Sequence, residues 1–341
     1  MFNNILVTGG LGYIGSHFVI ECSKLSKSIT IVDNLSNSSL NTFTKLKKIS
    51  SGNLNFYQAD IGDYTSLHNI FSQHEVDAVI HFAALKSIPD SIKYPEKYLA
   101  NNVTGSETLI SVMRQFNVNK IIFSSSASVY SADNEFPVKE TASLDFTNPY
   151  SESKLIVENL LIKESNQNLN FSVGILRYFN PLGNHPSGVI GEQLTGENTN
   201  IMPMIMKSFL SNTPFKIFGN SYPSDDGTAI RDYIHVLDLV SAHSLLLKYM
   251  FLKKTKYLVF NVGLGRGVSV KQLLDCFQST NRTKLNYVYA EPRPGDLPIC
   301  YAESEKIKTV LGWRPLYNLD DMCAHSFKYM KNMDKNSNEL Y

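Results

Sequence analysis

The sequence lacks the features that mark several large classes of protein. Its 341 residues include only four cysteines, which stand far apart, with no Cys-x-x-Cys pair and no Cys/His pair at zinc spacing. Neither a disulfide framework nor a zinc site is therefore expected, and a reducing compartment is the default.

An excess of charge of one sign is also missing, since 32 Lys and Arg balance 31 Asp and Glu. A net charge of +1 gives no electrostatic reason to bind nucleic acid or an anionic membrane. No apolar run approaches the roughly 18 residues that a spanning helix needs. The N-terminus, MFNNILVTGG, does not read as a signal peptide. We expect a cytoplasmic globular protein with no nucleic-acid or membrane partner.

What the first half does contain is an alternation of short apolar runs with helical patterns. The runs are rich in β-branched residues and almost continuously hydrophobic, which is typical of strands buried on both faces of a parallel sheet. They cover residues 5–8, 28–33, 55–60, 78–83, 120–125 and 172–177. Segments with 3.6-residue periodicity cover 16–25, 65–73, 98–116 and 149–163. The alternation predicts an α/β fold with a doubly wound parallel sheet, as in a Rossmann domain.

The pattern changes after about residue 180, where glycine, proline and asparagine become frequent. Residues 257–262 then resemble one more buried strand, which we expect to complete the first sheet. The predicted Rossmann domain therefore comprises residues 1–179 and about 232–262. A smaller C-terminal α/β domain, about 180–231 and 263–341, is expected to bind the substrate.

A glycine-rich turn follows the first predicted strand. Gly9, Gly12 and Gly15 form the pattern G-x-x-G-x-x-G where strand gives way to helix. Glycines there allow a tight turn and let the backbone approach a pyrophosphate, to which the helix N-terminus offers N–H groups. The pattern alone also fits an ordinary strand–helix turn.

Asp33 favours dinucleotide binding. It ends the second predicted strand, 18 residues after Gly15, where an acidic side chain can accept hydrogen bonds from both ribose hydroxyls. A carboxylate there would repel a 2′-phosphate, so NAD is favoured over NADP. Asp60 ends the third predicted strand and is expected near the adenine.

Tyr150 and Lys154 are spaced for one face of a helix. They occur in YSESK, directly after Pro149, which suits a first helical turn. A free tyrosine has a pKa of about 10, and a neighbouring ammonium and a positive nicotinamide would both lower it. Ser126, at the end of a predicted strand, could hydrogen-bond the same substrate oxygen. By itself the pair also fits the exposed face of an ordinary helix.

Together these motifs resemble those of the extended short-chain dehydrogenase/reductases. Longer blocks resemble the UDP-glucose 4-epimerases among them: VDNLSNS, HFAALKSI, NNVTGS, FSSSASVY, NPYSESK, LRYFNPLGNHPSG, DGTAIRDYIHVLDL and PRPGDLP. The blocks run from residue 5 to about 315, nearly the whole chain. The resemblance implies an isomerase that inverts C4 of a UDP-hexose through a transient 4-keto sugar, with NAD as bound cofactor.

The resemblance also implies roles for residues at matching positions. The catalytic positions are Ser126, Tyr150 and Lys154. The expected NAD contacts are Tyr150, Lys154, Gly9, Gly12, Tyr13, Ile14, Gly15, Asp33, Asn34, Asp60, Ile61, Phe82, Ala83, Lys86, Asn101 and Tyr178. The UDP-sugar contacts are Ser126, Asn180, Asn200, Ile201, Lys216, Ile217, Phe218, Arg231, Tyr233, Arg293, Asp296 and Cys300. A guanidinium fork suits a pyrophosphate, although either arginine could instead form an ordinary ion pair.

Cys300 is expected to decide which sugars are admitted. The resemblance places it at a gate beside the sugar C2 substituent, where a tyrosine tends to exclude N-acetylated sugars and a small residue tends to admit them. We therefore expect activity on UDP-GlcNAc and UDP-GalNAc as well. Related proteins form homodimers through two helices, here residues 98–116 and 149–163, so a homodimer is also expected.

Two other functions stay open at this point. A nucleotide-sugar 4,6-dehydratase would need an acid pair just after the strand-end hydroxyl, but Ala127 and Ser128 follow Ser126. A non-catalytic NAD-binding regulator would keep the fold but would not need Ser126, Tyr150 and Lys154. One departure from the resemblance is Ser131, which stands where a glycine is usual, in a loop that is slightly short.

Overall fold

The structure, a computed structural model, describes residues 1–194, 200–293 and 295–338. Positions 195–199, 294 and 339–341 belong to the predicted substrate domain and lie outside the described residues. The chain divides into two compact units. Unit 1 comprises Met1–Ser131, Thr141–Tyr178 and Val240–Phe260, and unit 2 comprises Ala132–Glu140, Phe179–Leu239 and Asn261–Tyr341.

Strands and helices alternate along most of the chain. The strands are β1 (Phe2–Thr8), β2 (Ser26–Asp33), β3 (Asn53–Gln58), β4 (Ala78–His81), β5 (Lys120–Ser126), β6 (Ser172–Tyr178), β7 (Asn180–Leu182), β8 (Phe215–Phe218), β9 (Ile230–Arg231), β10 (Tyr233–His235), β11 (Tyr257–Val262), β12 (Val268–Ser269), β13 (Tyr287–Ala290) and β14 (Ile299–Cys300). The helices are α1 (Tyr13–Cys22), α2 (Leu40–Ile49), α3 (Tyr64–Gln73), α4 (Ile88–Lys93), α5 (Pro95–Tyr98), α6 (Gly105–Gln115), α7 (Pro149–Gln167), α8 (Ile201–Leu210), α9 (Val236–Leu252), α10 (Val270–Asn281), α11 (Glu305–Leu311) and α12 (Leu319–Asn338). A π-helix, Leu99–Thr104, precedes α6, and a 3₁₀ turn, Ala127–Val129, follows β5.

Unit 1 is built on a seven-stranded sheet in the order β11-β6-β5-β4-β1-β2-β3. The pairings from β6 across to β3 are parallel, as the buried apolar runs predicted. The chain steps from β1 to β2 and β3 on one side and returns to place β4 on the other. In such sheets the carboxyl ends of the strands on either side of the reversal form a crevice where ligands bind.

Apolar side chains of α3, α6 and α7 pack on the sheet of unit 1. They form one buried cluster that includes Leu67, Phe71, Leu109, Met113, Val157 and Leu161 from the helices and Leu6, Val79, Ile121, Phe123, Val173 and Ile175 from the strands. Each such side chain contributes about 1.5–3 kcal/mol when fully buried. This packing holds the N-terminal end of α7 beside the carboxyl end of β5.

Unit 2 consists of short strand pairs and helices around its own core. Strand β9 pairs antiparallel with β12 and parallel with β14, while β8 pairs with β13 and β7 with β10. The core includes Met206, Phe215, Ile217, Leu274, Phe277 and Met322. The pairing of β14 with β9 places Cys300 opposite Arg231.

Several predicted boundaries are corrected by the structure. The predicted helix over 98–116 is interrupted by the π-helix and is preceded by α5. Strand β3 ends at Gln58, so Asp60 lies in the following turn. Residues 132–140 and 232–239 lie in unit 2 rather than with the Rossmann sheet. The first of these segments pairs with unit 2, because Val138 accepts from Glu303 N and donates to Tyr301 O. Among the described residues, none of the helices has the length and apolar character to span a bilayer.

Candidate active site and nucleotide-binding residues

The glycine turn between β1 and α1 is formed by close backbone approaches. Gly9 has a φ of 65°, in the left-handed region that favours glycine. A Cβ on Gly9 would lie 2.7 Å from the amide nitrogen of Ala83, and one on Gly15 would lie 2.2 Å from the carbonyl oxygen of Gly9. Gly12 is the N-cap of α1, whose first N–H groups have no partner within their own helix. This end of α1 is therefore a candidate pyrophosphate site. The predicted contacts Tyr13 and Ile14 begin the helix.

Asp33 ends β2 with its carboxylate buried in the same turn. Oδ2 accepts from Leu11 N at 3.0 Å, and Oδ1 accepts from Leu35 N at 3.0 Å and from the Ser38 hydroxyl at 2.7 Å. A carboxylate accepts about four hydrogen bonds, so these three leave room for about one more. Asp33 thus shapes the turn as well as placing a negative charge at the predicted ribose site.

Asp60 and Asn34 are joined next to the end of β2. The side-chain amide of Asn34 donates to Asp60 Oδ2 at 2.7 Å, while Gly62 N donates to Oδ1 at 2.8 Å. Ile61 is buried, and a Cβ on Gly105 would lie 2.8 Å from its Cγ1. The structure therefore places the predicted NAD contacts Asn34, Asp60 and Ile61 close together, although Asp60 is not the last residue of a strand.

Residues after β4 lie against the glycine turn, because β4 is the neighbour of β1 in the sheet. The ring of Phe82 lies 5.6 Å from that of Phe18 and 5.0 Å from that of His243, centroid to centroid. Ala83 makes the close approach to Gly9, and Lys86 lies in the loop before α4.

The π-helix carries the predicted contact Asn101 and its neighbour Asn102. The amide of Asn101 donates to Asn102 Oδ1 at 2.9 Å. Asn102 is buried, accepts from Leu85 N and donates to both Leu85 O and the Ser153 hydroxyl. A π-helix often marks a functional site, and here it ties the loop after β4 to α7.

The three predicted catalytic residues lie together where β5 ends and α7 begins. Asn148 caps α7 by accepting from Ser151 N at 3.0 Å, so Tyr150 is in the first turn and Lys154 one turn later. The Tyr150 hydroxyl hydrogen-bonds the side chain of Ser126. Lys154 Nζ donates to Ser124 O at 2.8 Å and lies 5.9 Å from the centroid of the Tyr150 ring.

Burial shifts the pKa values of this group. Desolvation lowers the pKa of Lys154 to about 7, against an opposing effect of the Glu158 carboxylate. Desolvation raises the pKa of Tyr150, and the hydrogen bond from Ser126 only partly offsets it. Among the protein's own groups, burial is therefore the dominant effect on the pKa of Tyr150. The lowering expected from the Lys154 ammonium together with a bound nicotinamide stays a prediction.

Tyr178 ends β6 beside this group. Its hydroxyl hydrogen-bonds His243 Nε2, and burial raises its pKa well above the ordinary value. The ring of His243 lies 5.7 Å from that of Phe18. Tyr178, a predicted NAD contact, is thus held by a buried aromatic group.

Two arginines and a carboxylate meet in unit 2. Arg231 donates to Asp296 Oδ1 at 2.5 Å. The guanidinium of Arg293 lies 4.2 Å from the centroid of the Phe218 ring. Burial lowers the pKa of Arg293, the Asp296 carboxylate raises it, and the nearby positive charge of Arg231 lowers it further. Two partly buried guanidinium groups with one carboxylate leave excess positive charge, which suits a diphosphate.

The other predicted UDP-sugar residues divide into accessible and core positions. Lys216 is exposed and Phe218 is half-buried on one face of β8, whereas Ile217 faces the core, so only its main chain can reach a ligand. Tyr233 is also buried in the unit 2 core. The rest lie at element ends: Asn180 begins β7, Asn200 and Ile201 begin α8, and Cys300 ends β14.

Comparison with known proteins decides the family. A family model described as NAD dependent epimerase/dehydratase family matches residues 5–263. The UDP-glucose 4-epimerase of Bacillus subtilis (strain 168) is 41% identical over 326 residues, covering 95% of this chain and 96% of that protein. The chain belongs to the NAD dependent epimerase/dehydratase family.

Solved structures of this family have the same fold. A UDP-glucose-4-epimerase from Stenotrophomonas maltophila, with bound NAD and formylated UDP-arabinopyranose, is 38% identical with a TM-score of 0.95, covering 98% of this chain and 99% of that one. A UDP-glucose 4-epimerase from Bifidobacterium longum, in complex with NAD+ and UDP, is 35% identical with a TM-score of 0.92, covering 97% of this chain and 98% of that one. The likeness extends over both units, not only the Rossmann sheet.

The residues of unit 1 fit the family's cofactor. The glycine turn depends on close backbone approaches that a Cβ at Gly9 or Gly15 would break. The N-terminus of α1 suits a pyrophosphate, and Asp33 supplies an acceptor at the end of β2. These features lie at the strand-order reversal, where the fold places a dinucleotide.

Sequence reasoning missed the charged pair behind the catalytic residues. Glu158 and Arg177 are both buried and joined in an ion pair of 2.7 Å. A signal was present, because an arginine within a strand predicted to be buried on both faces requires a negative partner. Glu158 stands one helical turn after Lys154, on the same face of α7.

Asp33 should make the protein prefer NAD to NADP. Replacing Asp33 with Asn removes the charge that repels a 2′-phosphate and weakens the hydrogen-bond acceptor for the ribose. We therefore expect weaker NAD binding and a smaller difference between the affinities for NAD and NADP. Titration calorimetry with each dinucleotide measures this. Glu75→Gln, which removes an exposed carboxylate from the same unit, should leave both affinities unchanged. Equal affinity of the unmodified protein for NAD and NADP would contradict the assignment.

Proposed function

We propose that the chain is a UDP-glucose 4-epimerase, which interconverts UDP-glucose and UDP-galactose with NAD as its bound cofactor. The observation that carries the proposal is the grouping of Tyr150, Lys154 and Ser126 at the carboxyl edge of a sheet with an NAD-type glycine turn. Its relatives over the full length are named for the same activity.

Each of these three side chains has a defined part in moving the proton of the sugar O4. Tyr150, in the first turn of α7, is the general base that takes this proton and later returns it. Ser126 hydrogen-bonds the Tyr150 hydroxyl and orients it. Lys154, when protonated, favours the phenolate through its positive charge. NAD, when bound, would supply a hydride acceptor and then a hydride donor, so that the sugar would pass through a 4-keto form with no net redox change.

The substrate-binding role is assigned to unit 2. Arg231 and Arg293 would hold the diphosphate, since guanidinium forks match phosphate oxygens. Asp296 orients Arg231 through their ion pair. The remaining predicted contacts are Asn180, Asn200, Ile201, Lys216, Ile217, Phe218 and Tyr233. If UDP stays bound while the 4-keto sugar rotates in the site, hydride can return to the opposite face of C4.

The 4,6-dehydratase alternative is not favoured. The residues after Ser126 form a 3₁₀ turn in which Ser128 donates to Ser126 Oγ at 2.9 Å, in place of an acid pair. A homodimer through residues 98–116 and 149–163 stays a prediction from the resemblance.

Tyr150→Phe should bind NAD normally and lose turnover by roughly 10²–10⁴-fold, because only the proton-transferring oxygen is removed. Conversion of UDP-galactose to UDP-glucose, followed by chromatography of the nucleotide sugars, measures the rate. Tyr64→Phe removes a hydroxyl that binds Gln115 on the surface and serves as the matched control. A Tyr150→Phe rate close to that of the unmodified enzyme would exclude Tyr150 as the base.

We further propose that the enzyme accepts N-acetylated UDP-hexoses because Cys300 is small. Its thiol is partly buried beside Arg231 and Asp296, and burial raises its pKa to about 11, so it stays neutral. Its main chain is fixed, because Asp232 N donates to Cys300 O at 3.1 Å. A larger side chain at this position would therefore project into the same space rather than move the strand.

Cys300→Tyr should suppress conversion of UDP-GlcNAc while sparing UDP-galactose, since a steric clash is not offset by other contacts. The measurement is the ratio of kcat/KM for the two substrates. Cys300→Ala, which stays small, should keep the ratio of the unmodified enzyme. If Cys300→Tyr slows both substrates alike, or if the unmodified enzyme leaves UDP-GlcNAc unconverted, Cys300 is not a gate.

A further inference from the structure

A buried carboxylate joins three elements behind the candidate catalytic residues. Glu158 on α7 and Arg177 on β6 are almost completely inaccessible, with side-chain exposures of 1% and 4%. Their contact is bidentate: Arg177 Nε donates to Glu158 Oε1 at 3.0 Å and Nη2 donates to Oε2 at 2.7 Å. Ser125 on β5 donates its hydroxyl to Oε1. The carboxylate thus accepts from two different strands at once.

Arg177 extends the group to the chain that follows β5. Its Nη1 donates to the Tyr130 hydroxyl at 3.1 Å, and its guanidinium lies 4.9 Å from the centroid of the Tyr130 ring. Tyr130 comes directly after the 3₁₀ turn that begins at Ala127. The ion pair therefore also anchors the segment that leaves the active-site end of β5.

Members of this group are direct neighbours of the catalytic positions. Ser125 lies between Ser124, whose carbonyl accepts from Lys154, and Ser126. In the sheet, Ser125 pairs with Arg177 and Ser126 pairs with Tyr178. A displacement of the carboxylate would therefore change the spacing between α7 and the ends of β5 and β6, on which the catalytic residues stand.

We propose that Glu158 is a positioning residue for the reaction: with Arg177 and Ser125 it fixes the helix bearing Tyr150 and Lys154 against β5, and it supplies the negative charge beside the Lys154 ammonium. The catalytic consequence rests on the proposed epimerase function. The positional and electrostatic parts rest only on the contacts within unit 1.

The effect of the Glu158 charge on the pKa of Lys154 has a definite sign. Burial lowers the pKa of Lys154, and the Glu158 carboxylate opposes that effect. Two other titratable groups of the described residues lie near Lys154: Tyr150 on its own helix, and His81 from β4, whose pKa burial lowers to about 3, so that it is neutral. Arg177 stands behind Glu158 on β6. Removing the charge of Glu158 should therefore lower the pKa of Lys154 further, because no second anion of these groups replaces it.

The test compares Glu158→Gln with Glu158→Asp in the NAD-loaded enzyme. Gln keeps the size and loses the charge, whereas Asp keeps the charge and shortens the reach. We expect Glu158→Gln to lower kcat by about tenfold or more with little change in the KM for UDP-galactose, since misplacement mainly affects the reacting geometry. The alkaline limb of its kcat–pH profile should move to lower pH by about half a unit or more. Glu158→Asp should lower kcat, but the alkaline limb of its kcat–pH profile should stay at the same pH as in the unmodified enzyme.

A second measurement does not depend on turnover. The Cε chemical shift of ¹³C-labelled lysine, with the Lys154 signal assigned from Lys154→Met, reports the ionisation of Lys154 directly. In Glu158→Gln, Lys154 should titrate at a lower pH than in the unmodified protein. If the unmodified protein does not convert UDP-galactose, the epimerase proposal fails, while the titration still decides whether Glu158 supplies the charge.

Glu164→Gln on the same helix is the matched control, because Glu164 also pairs with an arginine, Arg114, at 3.1 Å. It should leave kcat, the pH profile and the titration unchanged. If Glu158→Gln does not fold, Ser125→Ala removes only one donor to the carboxylate and should lower kcat about threefold or more at constant KM. A folded Glu158→Gln with the kcat and Lys154 titration of the unmodified protein overturns the inference. If Glu158→Gln does not fold, a Ser125→Ala enzyme with the kcat of the unmodified enzyme also overturns the inference.

Discussion

The ionic contact between Glu158 and Arg177 is the constraint on which the arrangement of the candidate catalytic residues depends. A guanidinium taken out of water requires a negative partner, and breaking such a pair leaves an uncompensated charge at a cost of roughly 3–5 kcal/mol. The pair connects α7 to β6 and, through Ser125, to β5. The arrangement at the sheet edge therefore depends on a contact that is buried behind it.

Lys154 shows why this contact has an electrostatic as well as a mechanical effect. Its ammonium is buried, held by Ser124 O, and has a pKa near 7. A lysine so poised changes its charge in response to small changes in its surroundings. The carboxylate one turn along α7 biases it toward the charged form, in which it favours the Tyr150 phenolate.

The parallel sheet and the location of the site could be predicted from the sequence, because buried strands and glycine turns have local signatures. The runs before Gly9 and Asp33 became β1 and β2 as expected. The π-helix around Asn102 could not be predicted, since the buried amide of Asn102 hydrogen-bonds Leu85 and Ser153, which are distant in sequence. The partner of Arg177 was likewise fixed by the packing of α7 on the sheet, not by a local pattern.

The most direct test of the account is the fate of the hydrogen at C4. If hydride leaves C4 and returns from the same bound cofactor, UDP-galactose converted in D₂O should yield UDP-glucose with no deuterium at C4. Mass spectrometry and proton NMR of the product measure this, with NAD-loaded enzyme and no added dinucleotide. Deuterium at C4 of the product would mean that the C4 hydrogen leaves as a proton, and the account would be wrong.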